Sequence, residues 1–416
     1  MIDYDKIRFD NFNKRINILA QEFYNKDIIL EINRAIIDED YEKADICKMK
    51  LELLNINYKK IEVESLKTKE KFDIAYLLPH NIQTGGLKVI LNQANLLSER
   101  GHRVTLYSHL PKMEWFKTNC SYIQVKEDVE LYRAVYPCDI VIAGYYDLIV
   151  DALMTLAPLK YYLSQGDFYI FEWEEIEPLI RNTAYTAYNL PVRILTVSNV
   201  MQRKIKDIFK RNSVKIPNAV DNNVFYPVKK RITLPFKILI VGSDSLKFKG
   251  HDDIIRALYE LKEEGYLFKI SWATQTIPSK IYYNGKLNIQ YSISPTQDEL
   301  SRLYRESDIY VSGSYYEAFS LPPLEAMSSG CCVVTSDNEG VKEYAIHNKN
   351  CIMYERGNIR DLKDKLKILF RSPALRRRLI LNGINTAKNY CLGKSIDLLE
   401  EEFKKSKNNL IYYVAE

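Results

Sequence analysis

Ser312-Gly313-Ser314-Tyr315-Tyr316-Glu317-Ala318-Phe319-Ser320-Leu321-Pro322-Pro323-Leu324-Glu325-Ala326-Met327-Ser328-Ser329-Gly330 is the stretch on which the reading of this chain turns. Asp308-Ile309-Tyr310-Val311 before it reads as a short buried strand, and Cys331-Cys332-Val333-Val334-Thr335 after it as a second. Pro322 and Pro323 suit the first turn of a helix, and Gly330 suits its end. The stretch is therefore a strand, loop, helix and strand of a parallel sheet. In such sheets ligands sit at the carboxyl ends of the strands, where the loop and the helix N-terminus lie. That N-terminus, around Ser320 and Leu321, offers unpaired N–H groups and a partial positive charge, which suits a phosphate. Glu317 in the loop and Glu325, expected in the first helical turn, have seven residues between them. A carboxylate accepts two hydrogen bonds from a vicinal diol well. One glutamate can hold a sugar ring and the other a ribose, with a diphosphate over the helix N-terminus. Two isolated glutamates would read more plainly, as a complement to the helix dipole and a solvated loop charge. The whole phrase, with its Pro-Pro and Ser-Ser-Gly, favours the nucleotide-sugar.

The span from Glu317 to Glu325 resembles the E-x7-E motif of retaining glycosyltransferases with the GT-B fold, family 4 in particular. The resemblance implies an α/β chain of two Rossmann-like domains facing each other across a cleft, with the donor held mainly by the second. It extends over residues 72 to 405 and is strongest in the second half.

Length and composition agree with that expectation. The chain has 416 residues, enough for two ordinary domains and an extension. Its 46% hydrophobic and 27% charged content is that of a globular chain. A net charge of +5 with interspersed signs argues against dedicated nucleic-acid binding and permits weak attraction to an anionic membrane surface. Seven scattered Cys form no C-x-x-C pair, so neither a disulfide framework nor a zinc site is indicated, and no metal is expected. Met1-Ile2-Asp3-Tyr4-Asp5 lacks the pattern of a signal peptide, and no apolar run approaches a membrane span. This predicts a cytoplasmic protein, with the inner face of the membrane as a further expectation.

In chain order, residues 1–70 predict a helical extension. Ile16, Leu19, Ala20, Phe23 and then Ile28, Ile29, Ile32, Ala35, Ile36 recur at helical spacing. Asp38-Glu39-Asp40 resembles a metal-binding D-x-D but follows no buried strand, so it reads as the start of a helix running through Ala44, Cys47, Met49, Leu51 and Leu54. A polar linker is expected from Glu64 to Lys71. Residues 71–228 predict the first, acceptor-side domain. Phe72 to Pro79 is a strand, Thr84-Gly85-Gly86 a loop and Leu87 to Arg100 a helix. Adjacent glycines let a ligand approach the backbone; by the resemblance, Gly85 and Gly86 face the donor phosphate and the acceptor. The aromatic run from Tyr161 to Trp173, with interleaved acids, suits a glycan-binding edge or ordinary core packing equally. Its Gln165 and Asp167, together with His80, are the acceptor-side candidates. Gln165 and its neighbours loosely resemble the rhamnosyltransferase branch that builds bacterial surface glycans.

Ile216-Pro217-Asn218-Ala219-Val220-Asp221 to Pro227 resembles the family segment that closes the first domain, with Ala219 at the usual Gly position. Residues 229–395 predict the donor domain, and 396–416 a C-terminal helix packed back on the first. Phe236 to Val241 is a strand ending at Gly242, and His251 to Glu263 a helix. Between them Lys249 matches the family's phosphate-binding lysine. Ser243 stands where the family has an arginine, and Lys247 is the substitute that would restore a second cation. Arg376-Arg377-Arg378 reads as a helix surface.

By the resemblance, this is a metal-independent retaining glycosyltransferase with no cofactor. It would move a sugar from a nucleotide diphosphate donor to a glycan, lipid-linked or protein acceptor in bacterial surface-glycan synthesis. Lys249 and Glu317 would carry the chemistry. Gly85, Gly86, Gly242, Ser243, Lys247, Ser320, Leu321 and Glu325 would bind the donor. Two other readings stand beside it: a nucleotide-sugar epimerase of the same fold, which five sparse His disfavour, and a non-catalytic scaffolding subunit. A homo-oligomer or partner contact through residues 1–70 is a further expectation, because an apolar helical stripe needs a surface to cover it.

Overall fold

The structure is a computed structural model. It describes residues 27–40, 42–45, 47–48, 58–62, 66, 68–229, 232–278, 286–408 and 411–415. The chain forms two compact units, residues 1–216 with 396–416, and residues 217–395. The division follows Ile216 and not residue 228. Residues 217–228 go with the second unit for a physical reason: the Val220 N–H donates to the Tyr390 carbonyl at 2.8 Å, and the Phe225 ring lies edge-on to Tyr304.

The first unit opens with helix α1 (Asp27–Ile37) and strand β1 (Tyr58–Glu62). It continues through β2 (Asp73–Leu77), α2 (Gly85–Glu99), β3 (Arg103–Ser108), β4 (Ser121–Gln124), β5 (Ile140–Ala143), β6 (Leu159–Ser164), β7 (Arg193–Thr196), α3 (Asn199–Phe209) and β8 (Val214–Lys215). The sheet order is β4-β3-β2-β5-β6-β7-β8, all parallel. Strands covered on both faces must be apolar throughout, and the Ile-Val-Ile-Ala of β5 is fully buried.

The second unit runs β9 (Phe236–Val241), α4 (His251–Glu263), β10 (Phe268–Thr274), β11 (Ile289–Ile293), α5 (Gln297–Glu306), β12 (Ile309–Ser312), α6 (Leu321–Ser328), β13 (Cys332–Ser336), β14 (Ile352–Tyr354), α7 (Ile359–Arg371) and α8 (Pro373–Asn389). Its sheet is also parallel, in the order β11-β10-β9-β12-β13-β14. Helix α4 buries Ile254, Ile255, Leu258 and Leu261 against that sheet. At about 2 kcal/mol for each such side chain, this face fixes the helix in place. Helix α9 (Leu392–Asn408) then leads to β15 (Ile411–Ala415), which pairs antiparallel with β1, so the helix expected over 396–416 is corrected at its end, where pairing with β1 makes a strand.

The expected extension is thus corrected in two places. Tyr58–Glu62 is a strand, made so by a partner from the far end of the chain. The expected polar linker contributes Leu66, only 2% exposed, to the first unit's core. Asp38-Glu39-Asp40 does stand at a helix start, since residues 42–45 and 47–48 are helical, the Asp40 side chain accepts the Lys43 N–H at 3.1 Å and its carbonyl accepts the Ala44 N–H at 3.1 Å. Asp38 itself lies in the turn after α1 and forms an ion pair at 2.7 Å with the buried Arg211. The stripe expected through Ile16, Leu19, Ala20 and Phe23 lies outside the described residues, as do Met49, Leu51 and Leu54. Arg376 is a correction as well. It is buried, its guanidinium donates to the Leu369 and Phe370 carbonyls, and it lies over the Phe236 ring. Arg377 and Arg378 are exposed, as expected.

Candidate active site

In both sheets the strand order reverses beside the first strand, between β2 and β5 and between β9 and β12. Such a switch point leaves a crevice at the strands' carboxyl ends. In the second unit the two loops that leave it are residues 242–250, after β9, and 313–320, after β12. Backbone contact brings them together. A Cβ on Gly250 would stand 2.3 Å from the Gly313 carbonyl oxygen, and one on Gly313 would stand 2.7 Å from the Gly250 oxygen. Only two glycines allow this approach, and Gly250 also adopts a left-handed φ of 62°. The Tyr315 N–H donates to the Phe248 carbonyl at 2.7 Å, and the Phe248 and Tyr316 rings stack at 4.8 Å.

This clamp places Lys249 beside Glu317, 68 residues further along the chain. Lys249 Nζ donates to Glu317 Oε1 at 2.6 Å, and Ser314 Oγ donates to the same oxygen at 2.8 Å. Both charged side chains are largely buried, 19% and 14% exposed. From the other side, Gly340 presses on the backbone of Glu317; a Cβ there would lie 2.1 Å from the Glu317 carbonyl oxygen. A small hollow opens over the pair, lined by Lys249, His251, Gly313, Ser314, Glu317, Ser320 and Pro322.

The N-terminus of α6 forms one edge of that hollow. Its N-cap, Ser320, has a φ of 71°, and its side chain makes no capping bond. Pro322 and Pro323 carry no N–H, so the donors left in the first turn are those of Leu321 and Ser320. The Tyr344 hydroxyl donates to the Ser320 carbonyl and holds the strained cap in place. Glu325 lies in the second turn of α6, not the first. It is 5% exposed, and Tyr304 Oη donates to its Oε2 at 3.1 Å.

Gly242 ends β9 with a φ of 128°, and a Cβ there would meet the His251 ring at 3.2 Å. His251 packs on Trp272 at 4.8 Å, and burial, with Lys249 nearby, pushes its pKa down to about 4. Spacing gave no sign of this histidine; its position at the first residue of α4, beside Lys249, was the available clue. Ser243 is 4% exposed and shares a hydrogen bond with Ser245 at 2.8 Å. Lys247 is exposed on the turn before Lys249.

In the first unit, Gly85 and Gly86 open α2 instead of forming the loop before it, with Thr84 as the N-cap that accepts the Leu87 N–H at 3.2 Å. Gln165, just past β6, donates to the Gly86 carbonyl at 2.9 Å. Asp167 accepts from the Tyr169 hydroxyl at 2.7 Å, and His80 lies half-buried after β2. For Tyr161, Tyr162 and Tyr169 the core-packing alternative is the observed one, since all three are at most 2% exposed.

All seven cysteines are free thiols. Among the described residues no group of three or more His, Cys, Asp or Glu gathers to hold a metal, and no helix is long and apolar enough to cross a membrane.

Residues 226–386, most of the second unit, match the family model described as glycosyl transferases group 1. The chain is 25% identical over 210 residues to the uncharacterized glycosyltransferase MJ1178 of Methanocaldococcus jannaschii, a match covering 49% of this chain and 57% of that protein. It is 28% identical over 200 residues to the MMP alpha-(1->4)-mannosyltransferase of Mycolicibacterium hassiacum, covering 46% and 48%. The chain therefore spans about half the length of the curated relatives it matches. Among solved structures, Anabaena HepE in complex with UDP-glucose superposes with a TM-score of 0.69 at 13% identity, covering 80% of this chain and 100% of that one. That likeness shows the fold, and the expected GT-B architecture of two parallel-sheet α/β domains is borne out.

Proposed function

We propose that this protein is a metal-independent, retaining glycosyltransferase of family 4 that takes a sugar from a nucleotide diphosphate. The observation that carries the reading is the meeting of Lys249 and Glu317 at a sheet switch point beside the bare N-terminus of α6. A diphosphate is an anion whose charge grows as the sugar bond breaks. Lys249 and the N–H groups of Leu321 and Ser320 supply fixed positive charge where it grows, which is the main way such sites lower a barrier. Glu317 accepts from hydroxyls of the transferring sugar, and Glu325 from the ribose. The departing phosphate takes the acceptor's proton, so no side-chain nucleophile is required. The acceptor class is a glycan, a lipid-linked sugar or a protein, in surface-glycan synthesis of the rhamnosyltransferase kind. His80, Gln165 and Asp167 serve the acceptor. The reading carries with it a cytoplasmic site of action at the inner face of the membrane, and assembly through residues 1–70.

The test is a thermal-shift screen of UDP, GDP, ADP and TDP and their sugars, UDP-glucose first, followed by turnover. A nucleotide at a hundredfold its Kd should stabilise the protein by about 2.7 kcal/mol. Release of nucleoside diphosphate that depends on added acceptor is the expected result. Binding without release under any acceptor would favour the scaffolding reading, and no binding at all would remove both.

A further inference from the structure

We infer that Ser314 is a positioning residue for this transfer: its hydroxyl commits one oxygen of Glu317 to the protein and leaves the other for a sugar hydroxyl. The inference rests on the donor-site reading above. Glu317 Oε1 accepts from Ser314 Oγ at 2.8 Å and from Lys249 Nζ at 2.6 Å. No described residue is recorded as a partner of Oε2. The two anchors differ in kind. A lysine has a flexible stem and three protons, and a serine has one proton on a short side chain. When a diphosphate arrives, Lys249 must turn part of its charge toward it. Ser314 then becomes the fixed anchor of the carboxylate.

Ser314 is built for that duty. It is 2% exposed, and its own carbonyl accepts from Ser336 Oγ at the end of β13. Asn338 Nδ2 donates to Ser336 Oγ at 3.2 Å, and Asn338 Oδ1 accepts the Val341 N–H at 3.0 Å. Ser336 and Asn338 are fully buried. A chain of buried hydrogen bonds thus runs from the sheet to Glu317, and such a network rigidifies the groups it holds.

The experiment uses the full chain and the sugar donor that passes the screen. Ser314→Ala removes one oxygen and adds no bulk. We expect kcat to fall by about 10- to 100-fold, the scale of a slight misplacement in a preorganised site. The Kd of the nucleoside diphosphate alone, which has no sugar, should stay within about twofold of wild type, since Ser314 acts on the sugar's partner. Ser314→Thr keeps the hydroxyl and should retain more activity than the alanine variant. The deciding comparison is with Glu317→Gln: the double variant should be no slower than Glu317→Gln alone, because Ser314 acts only through Glu317. A normal kcat for Ser314→Ala beside an active wild type overturns the inference alone, as do losses that add in the double variant. A wild type with no turnover for any donor overturns the transferase reading and this inference with it.

Discussion

Lys249 already donates one hydrogen bond to Glu317 Oε1 at 2.6 Å, and two N–H groups remain for an incoming phosphate. It is also the site's main cation, because Ser243, at the position where the resembled family carries an arginine, is buried and tied to Ser245. Losing a preorganised charge stabiliser costs about 3 to 4 kcal/mol, a factor of hundreds in rate. Lys249→Ala should therefore cut turnover by about that factor, and Lys247→Ala should be mild, since Lys247 points from an exposed turn. Turnover at saturating donor decides it, and the reverse ranking would transfer the role to Lys247. His251 makes a separate prediction about stability. Its pKa is about 4 in the folded chain against 6.5 when free, mainly because burial disfavours the imidazolium, with Lys249 adding to the effect and Asp252 opposing it. Between those values the unfolded chain binds the proton and the folded chain does not. The stabilisation is present above pH 6.5 and lost as pH falls toward 4. At about 1.4 kcal/mol per unit this amounts to about 3 kcal/mol. The stabilities of wild type and His251→Gln from urea unfolding should diverge by this much across that range, and parallel curves would refute it. Neither the clamped lysine nor the buried histidine was visible in composition. Lys249 and Glu317 could be found because each sits in a motif, whereas Ser314 looked like one more loop serine.

At the scale of elements, periodicity predicted α4 and the buried strands well, because one apolar face or one apolar run dictates each of them. It failed where the partner is distant. The Tyr58–Glu62 segment falls within the expected helical extension and is a strand only because β15 supplies a partner. Helix α1 is anchored in the same way. Asp38 at its end pairs with Arg211, which also donates to the Leu190 and Val192 carbonyls at 2.8 Å and to that of Tyr188. Lys405 on α9 reaches Glu39 at 3.2 Å, but that pair is exposed and contributes little. The buried pair is the one that matters. Removing one partner leaves Arg211 with less compensation, at a cost of about 3 kcal/mol or more. Asp38→Ala should lower the midpoint of thermal unfolding and speed hydrogen exchange in Asp27–Ile37. Nucleoside diphosphate binding should be unaffected, because Lys249, Glu317, Ser320, Leu321 and Glu325 lie in the other unit. An unchanged midpoint would show that the backbone carbonyls alone satisfy Arg211.

For the whole molecule, two parallel sheets follow from the chain's alternation of short apolar runs and amphipathic helices, and right-handed crossovers leave few other ways to connect them. The sequence also picked out the two loops that meet at the candidate site, because Gly-rich turns, a Pro-Pro helix start and paired acids each have a local physical cause. It misjudged three details for one reason, that burial cannot be read locally. Glu325 reads as a residue of the first helical turn but lies buried in the second turn under Tyr304, Arg376 reads as part of a helix surface but caps carbonyls in the core, and Leu66 reads as part of a linker but packs in the first core. The boundary after Ile216 belongs with these, since residues 217–228 take their place from the Val220–Tyr390 and Phe225–Tyr304 contacts. The sequence by itself determined the fold class, the order of the elements in the two parallel sheets and the candidacy of Lys249 and Glu317, all of which rest on patterns within a few tens of residues. Only the tertiary structure decided that Gly250 and Gly313 touch, that Lys249 and Ser314 share one oxygen of Glu317, and that the two ends of the chain pair as strands. Those contacts join residues that are remote in sequence or settle which of several nearby polar groups meet, and no local periodicity encodes them.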